Sequence, residues 1–234
     1  MKMYRKQELD AYLQNDWIEK LLKESYNDEE KEIRTNSWLE KMDNKRMIYA
    51  DVYGDILTKK SDKSVLDVGG GLNSLTKILA NNSEYTLVDF LAHGGQEYLK
   101  KHGENFNIEW YCQNWDKYEP NKVFDIIIAN DIFPDVDQRM ELFIEKFLPY
   151  CKEMRLVLTF YNEPKYYEAK RVDDAEVLTF LSWDGEITAL KLKKYLSYMI
   201  DTIEEEIDKL IDFKESIYWN GRQVVYLILK GLGK

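Results

Sequence analysis

The most constraining stretch is Val65-Leu66-Asp67-Val68-Gly69-Gly70-Gly71-Leu72-Asn73, which continues through Ser74 to Leu79. A short apolar run meets three consecutive glycines, and Leu75, Ile78 and Leu79 then recur at helical spacing. The pattern predicts a strand, a tight turn and a helix. Glycine suits such a turn because, without a Cβ, it accepts unusual dihedrals and lets a ligand approach the backbone. The helix that follows aims its unpaired N–H groups back at the turn, where they can meet an anion or a polar ligand. A dinucleotide site asks for G-x-G-x-x-G at this point. Gly69 and Gly71 supply the first two positions, but Ser74 stands at the third.

Bulk properties narrow the setting. The chain has 234 residues, enough for one α/β domain with an appended element. Lys plus Arg number 33 and Asp plus Glu 43, a formal charge of −10 that disfavours a nucleic-acid partner. No apolar run approaches the roughly 20 residues of a membrane span. Met1 to Lys6 lead into polar sequence rather than a signal-peptide core, so a cytoplasmic protein is expected. Cys112 and Cys151 form no C-x-x-C pair, so two free buried thiols are expected and no metal site.

Residues 1–60 carry few glycines or prolines, and Leu9, Tyr12, Leu13, Trp17, Leu21 and Leu22 keep helical spacing. A second run passes through Trp38, Leu39, Met42, Met47, Ile48, Val52 and Ile56. They predict a helical N-terminal extension, 1–60, ahead of a domain spanning 61–234. Its aromatic stripe either packs as core or forms a lid over substrate, which makes Tyr4, Trp38 and Tyr53 pocket candidates. Strand one is Ser64 to Val68 and strand two Tyr85 to Asp89. An acid about 20 residues past the turn, at a strand's carboxyl end, suits a ribose diol, because a carboxylate accepts from both hydroxyls at once. Phe90 and His93 follow in the same loop. A third strand near Asn107 to Cys112 precedes Trp115 and Asp116. The apolar run Phe124 to Ala129 predicts a strand buried on both faces, ending in Asn130-Asp131-Ile132-Phe133-Pro134-Asp135. Strand five, Arg155 to Phe160, ends in Tyr161, and an aromatic region with Tyr166 leads to Trp183 and Asp184, a helix cap. Asn220-Gly221 between Ser216–Trp219 and Gln223–Leu229 reads as a C-terminal antiparallel hairpin.

With these motifs in hand, the chain resembles the class I S-adenosylmethionine (SAM)-dependent methyltransferases over roughly Ser64 to Lys230. The residues carrying the likeness are Val65 to Asn73, Asp89, Asp116 and Phe124 to Ile128. The family's turn ends in a third glycine, and Asn73 stands in its place; Asn tolerates left-handed geometry better than most residues. The resemblance implies an α/β, Rossmann-like, seven-stranded, mostly parallel sheet. It implies SAM as cofactor, with S-adenosylhomocysteine as product. It also implies a cofactor site of Asp67, Gly69, Gly70, Gly71, Asn73, Ser74, Asp89, Phe90, Trp115, Asp116 and Asn130. Methionine is expected at the glycine turn, ribose on Asp89, and adenine near Trp115 and Asp116, the alternative being that Trp115 packs under the sheet.

The acceptor is read from departures. The loop at Asn130 lacks the (Asp/Asn)-Pro-Pro-aromatic signature of DNA and protein amide N-methyltransferases. The acid set of metal-dependent O-methyltransferases is incomplete, because Tyr161 occupies an acid's place before Asn162. The expectation is metal-independent transfer to a small molecule, an oxygen of a sugar or surface-glycan precursor. Asp131 or Asp135 is the candidate base, with His93 behind them. Phe133, Tyr161, Tyr166 and Trp183 complete the substrate candidates. N-methylation of a small amine or a protein side chain, and cofactor binding without catalysis, are the alternatives. Oligomeric state is left open, and Ser74 and the hairpin disfavour NAD.

Overall fold

The computed structural model describes residues 1–25, 33–91, 95–102, 108–170 and 177–233. It is an α/β chain whose principal sheet has seven strands in the order β1-β9-β6-β5-β2-β3-β4. These are β1 (Lys2–Met3), β2 (Ser64–Val68), β3 (Glu84–Val88), β4 (Ile108–Tyr111), β5 (Phe124–Phe133), β6 (Cys151–Phe160) and β9 (Gln223–Lys230). β2, β3 and β4 run parallel, whereas β9 is antiparallel to both β6 and β1. A separate antiparallel pair is made by β7 (Lys165–Lys170) and β8 (Val177–Ser182).

The chain divides into two compact units, Gln7–Ile128 and Met1–Lys6 with Ala129–Lys234. The first holds α1 (Lys6–Leu13), α2 (Trp17–Ser25), α3 (Arg34–Lys41), α4 (Asp43–Thr58), α5 (Ser74–Asn82) and α6 (Gly95–His102), with strands β2 to β4 and the start of β5. Every residue of β2 is buried, as expected for a strand covered on both faces. The helices ahead of β2 are tied by a buried ion pair, Arg46 Nε to Asp16 Oδ2 at 2.7 Å. The same guanidinium donates through Nη1 to the carbonyls of Leu39 and Glu40, at 2.8 and 2.7 Å.

The second unit holds the rest of β5, β6 to β9, and helices α7 (Met140–Phe147), α8 (Gly185–Lys193) and α9 (Glu204–Asp212). Asp184 caps α8, its carboxylate accepting from Ile187 N at 2.8 Å. The expected strand Ser216–Trp219 is a bend and turn instead. The reason is that β9 has both edges taken, by β6 and by β1, where Tyr4 N also donates to Val224 O at 3.1 Å. The Ser216 hydroxyl holds the segment as a loop by donating to Arg222 O at 2.6 Å. The separate antiparallel pair is β7–β8, in the region read only as polar and aromatic. Among the described residues no helix is long and apolar enough to cross a membrane. Cys151 is buried as expected, but Cys112 is exposed, because it follows β4, the last strand of the sheet.

Candidate functional site

In the first unit the glycine turn joins β2 to α5. Gly69 and Gly71 have φ of 70° and 65°, the left-handed region that disfavours side chains. Gly70 is required for space: a Cβ there would lie 2.3 Å from Asp67 Oδ2. Asp67 is fully buried under the turn, accepting from Tyr85 Oη at 2.6 Å and from Tyr53 Oη at 3.2 Å. Burial pushes its carboxyl up to about 7; the two tyrosine hydrogen bonds oppose this and the charge of Asp89 adds to it. Asp67 therefore faces the tyrosines, and Tyr53 is a fully buried member of that network rather than a pocket wall.

Asn73 departs from the geometry expected of it. Its φ is −148°, extended rather than left-handed. Its value lies in capping: its carbonyl oxygen accepts from Leu75 N at 2.9 Å, and Thr76 completes a capping box. Its amide donates to Tyr49 Oη at 2.8 Å. Ser74 N and Oγ both donate to Asn36 Oδ1 of α3, at 2.7 and 3.1 Å. Thr35, also of α3, donates to Leu72 O. Asn73 and Ser74 thus turn their polar groups inward, and α3 is fastened to the turn by two side chains that the sequence did not single out.

Asp89 follows β3 and folds back on the turn. Its Oδ2 accepts from Gly71 N at 3.1 Å and its Oδ1 from Leu91 N at 2.5 Å. Beside it Phe90 is half exposed, at 49%. Trp115 is buried and opens a short 3₁₀ turn to Lys117, while Asp116 is exposed. His93 lies outside the described residues.

In the second unit a polar cluster gathers at the carboxyl ends of β5 and β6 and the start of antiparallel β9. Arg222 Nη1 lies 2.9 Å from Asp135 Oδ2 and 3.5 Å from Asp131 Oδ1. Its guanidinium carbon sits 4.3 Å from the Tyr218 ring centroid. Burial works against the Arg222 charge, but Asp131, Tyr218 and Asp135 outweigh it and hold the guanidinium above its ordinary value. Asp131 adopts φ 61°, a strained conformation for a non-glycine residue. Burial, and then the charge of Asp135, pushes Tyr161 and Tyr167 up. Both expected bases are therefore brought together, but onto a cation, and Asn130 stands beside them. Arg222 was missed; a basic residue between an Asn-Gly turn and an apolar strand was the available signal.

Other substrate candidates fall inside the structure. Phe133 is fully buried with its ring 5.3 Å from that of Phe143, so it is core. Tyr4 is fully buried, its backbone held by β9. Trp183 is buried with the Lys191 ammonium 4.9 Å from its ring. The sequence offered these aromatics as pocket candidates, and in this structure their side chains lie inside. Trp38 and Tyr166 are exposed.

No family model matches the chain. One 80-residue segment is 34% identical to the malonyl-[acyl-carrier protein] O-methyltransferase of Acetivibrio thermocellus, covering 33% of this chain and 28% of that protein's length. The DhpI–SAH complex structure superposes with a TM-score of 0.54 at 15% identity, over 95% of this chain and 97% of that one. The chain has the class I methyltransferase fold. In a methyltransferase fold of this sheet order, the glycine turn and Asp89 follow β2 and β3 at their carboxyl ends, where open parallel sheets bind ligands.

Proposed function

We propose that this chain is a SAM-dependent methyltransferase acting on a small-molecule acceptor. The carrying observation is Asp89 closed over the Gly69–Gly71 turn within this fold. The donor set suits the cofactor. The positive-φ glycines keep side chains off the turn, so the methionine portion can approach its backbone, with Gly71 N released when Asp89 turns to the ribose. The Asp89 carboxylate can exchange its backbone partners for two ribose hydroxyls. Exposed Asp116 can accept from the adenine amino group, and half-exposed Phe90 offers a ring face. When bound, SAM supplies a sulfonium methyl open to direct displacement. The chain's own task is then to bind, align and exclude water, and alignment supplies on the order of 7–11 kcal/mol in favourable cases.

The sequence reading favoured an oxygen of a sugar or surface-glycan precursor, with Asp131 or Asp135 as base. A second reading, transfer to nitrogen, is favoured by the Arg222 contacts to both carboxylates, since an amine presented in its neutral form needs no strong base. The test is calorimetric titration with SAM, S-adenosylhomocysteine and NAD. SAM is expected to bind, with Asp89→Ala weakening it roughly 10- to 100-fold, the worth of hydrogen bonds to a charged acceptor. A folded chain that binds neither SAM nor its product, or prefers NAD, would overturn the reading.

A further inference from the structure

We infer that the Arg222–Asp135 cluster is a recognition site for an amino group on the acceptor, the acceptor's N–H being held by Asp135 Oδ1. The inference rests on the methyltransferase reading only for calling that ligand the acceptor. Arg222 occupies Asp135 Oδ2, yet Asp135 Oδ1 is buried with no hydrogen-bond partner among the described residues. Asn130 Oδ1, next to Asp131 in the chain, and Gln223 Oε1, next to Arg222, are in the same condition. Gln223 is only 1% exposed, and its amide already donates to Asn162 Oδ1 at 2.5 Å. Buried acceptors without donors are rare and costly, so three of them at one sheet edge mark a place where a ligand supplies N–H groups. Opposing them is one donor without a partner, Arg222 Nε.

Charge and shape point the same way. Among the described residues two carboxylates face the Arg222 guanidinium with little solvent to screen them: the side chains of Asp135, Arg222 and Asp131 are 11%, 15% and 24% exposed. Asp131 is the most open of the three. Tyr161 and Tyr167 stand near the Asp135 charge, as Tyr218 does near Asp131, and two of these rings already carry a cation, Lys165 Nζ 5.2 Å from the Tyr161 centroid and the Arg222 guanidinium 4.3 Å from that of Tyr218. A carboxylate ligand would meet two like charges. A simple alcohol, with one O–H, would satisfy one acceptor and leave the others unpaired.

The experiment is ligand-observed NMR on the full chain, without SAM. Its probes are a panel of amines from ethylamine to tryptamine and spermidine, each matched with its alcohol and carboxylate. Amines are expected to saturate at least about tenfold more tightly than the matched alcohols, with carboxylates weakest. Asp135→Asn is expected to abolish that preference, whereas Arg222→Gln, which removes the competing cation, retains or strengthens it. Equal binding of amines and alcohols, or loss of the preference in both variants alike, overturns the inference. The wild-type panel decides the matter even if a variant fails to fold. SAM titration is read separately: amine selectivity without SAM binding leaves the site and removes the methyltransferase reading, and the reverse outcome does the opposite.

Discussion

Replacing Asp67 by Asn isolates the buried carboxyl beneath the glycine turn. Asn keeps the volume, can accept from one tyrosine and donate to the other, and never ionises. In the folded chain burial lifts the Asp67 carboxyl from 3.8 to about 7. The folded state therefore holds a proton that the unfolded state releases across this window, and wild-type stability falls as pH rises between those values. Above the folded value the penalty is complete and the dependence levels off. At about 1.36 kcal/mol for each tenfold, the swing is on the order of 4 kcal/mol. Urea denaturation of both proteins at about pH 4.5, 6 and 7.5, at constant ionic strength, measures it, since every other group titrates alike and cancels in the difference. The variant is expected to gain several kcal/mol on wild type between the lowest and highest pH. A difference constant to about 1 kcal/mol would refute the argument, placing Asp67 in a site polar enough to hold its charge.

Further expectations concern neighbouring contacts. Gly70→Ala puts a Cβ against the immobile Asp67 carboxylate and should cost about 1–3 kcal/mol, with weakened SAM binding, seen by denaturation and calorimetry. Asp16→Ala strands the buried Arg46 guanidinium and should cost about 3–5 kcal/mol, much of it recovered in the double variant with Arg46→Met; full additivity would show the pair is not coupled. Asp184→Ala removes the cap of α8 and should cost about 1 kcal/mol, a fall of roughly 2–4 °C in Tm by calorimetric scan.

What the sequence by itself determined is local. The strand, glycine turn and helix at 64–82, the cap at Asp184 and the acid after β3 depend on dihedral preference, short-range hydrogen bonds and spacing along one βα unit, all written in adjacent residues. The apolar run Phe124 to Ala129 of β5 declares itself as a doubly covered strand for the same reason. Only the tertiary structure decided the rest. Lys2–Met3 becomes a strand because β9 offers it a free edge, and Ser216–Trp219 does not because that edge is then filled. Tyr53, Phe133 and Trp183 are aromatics whose residue type alone does not say whether they meet core or ligand, and the assembled fold buries all three. Asn73 was expected to be left-handed and is extended instead, since its dihedral depends on the cap it makes. Arg222 reaches Asp135 from 87 positions away in the chain, a pairing set by strand order rather than by any local pattern. Charges meet through the fold, so their partners are legible only once the sheet is assembled.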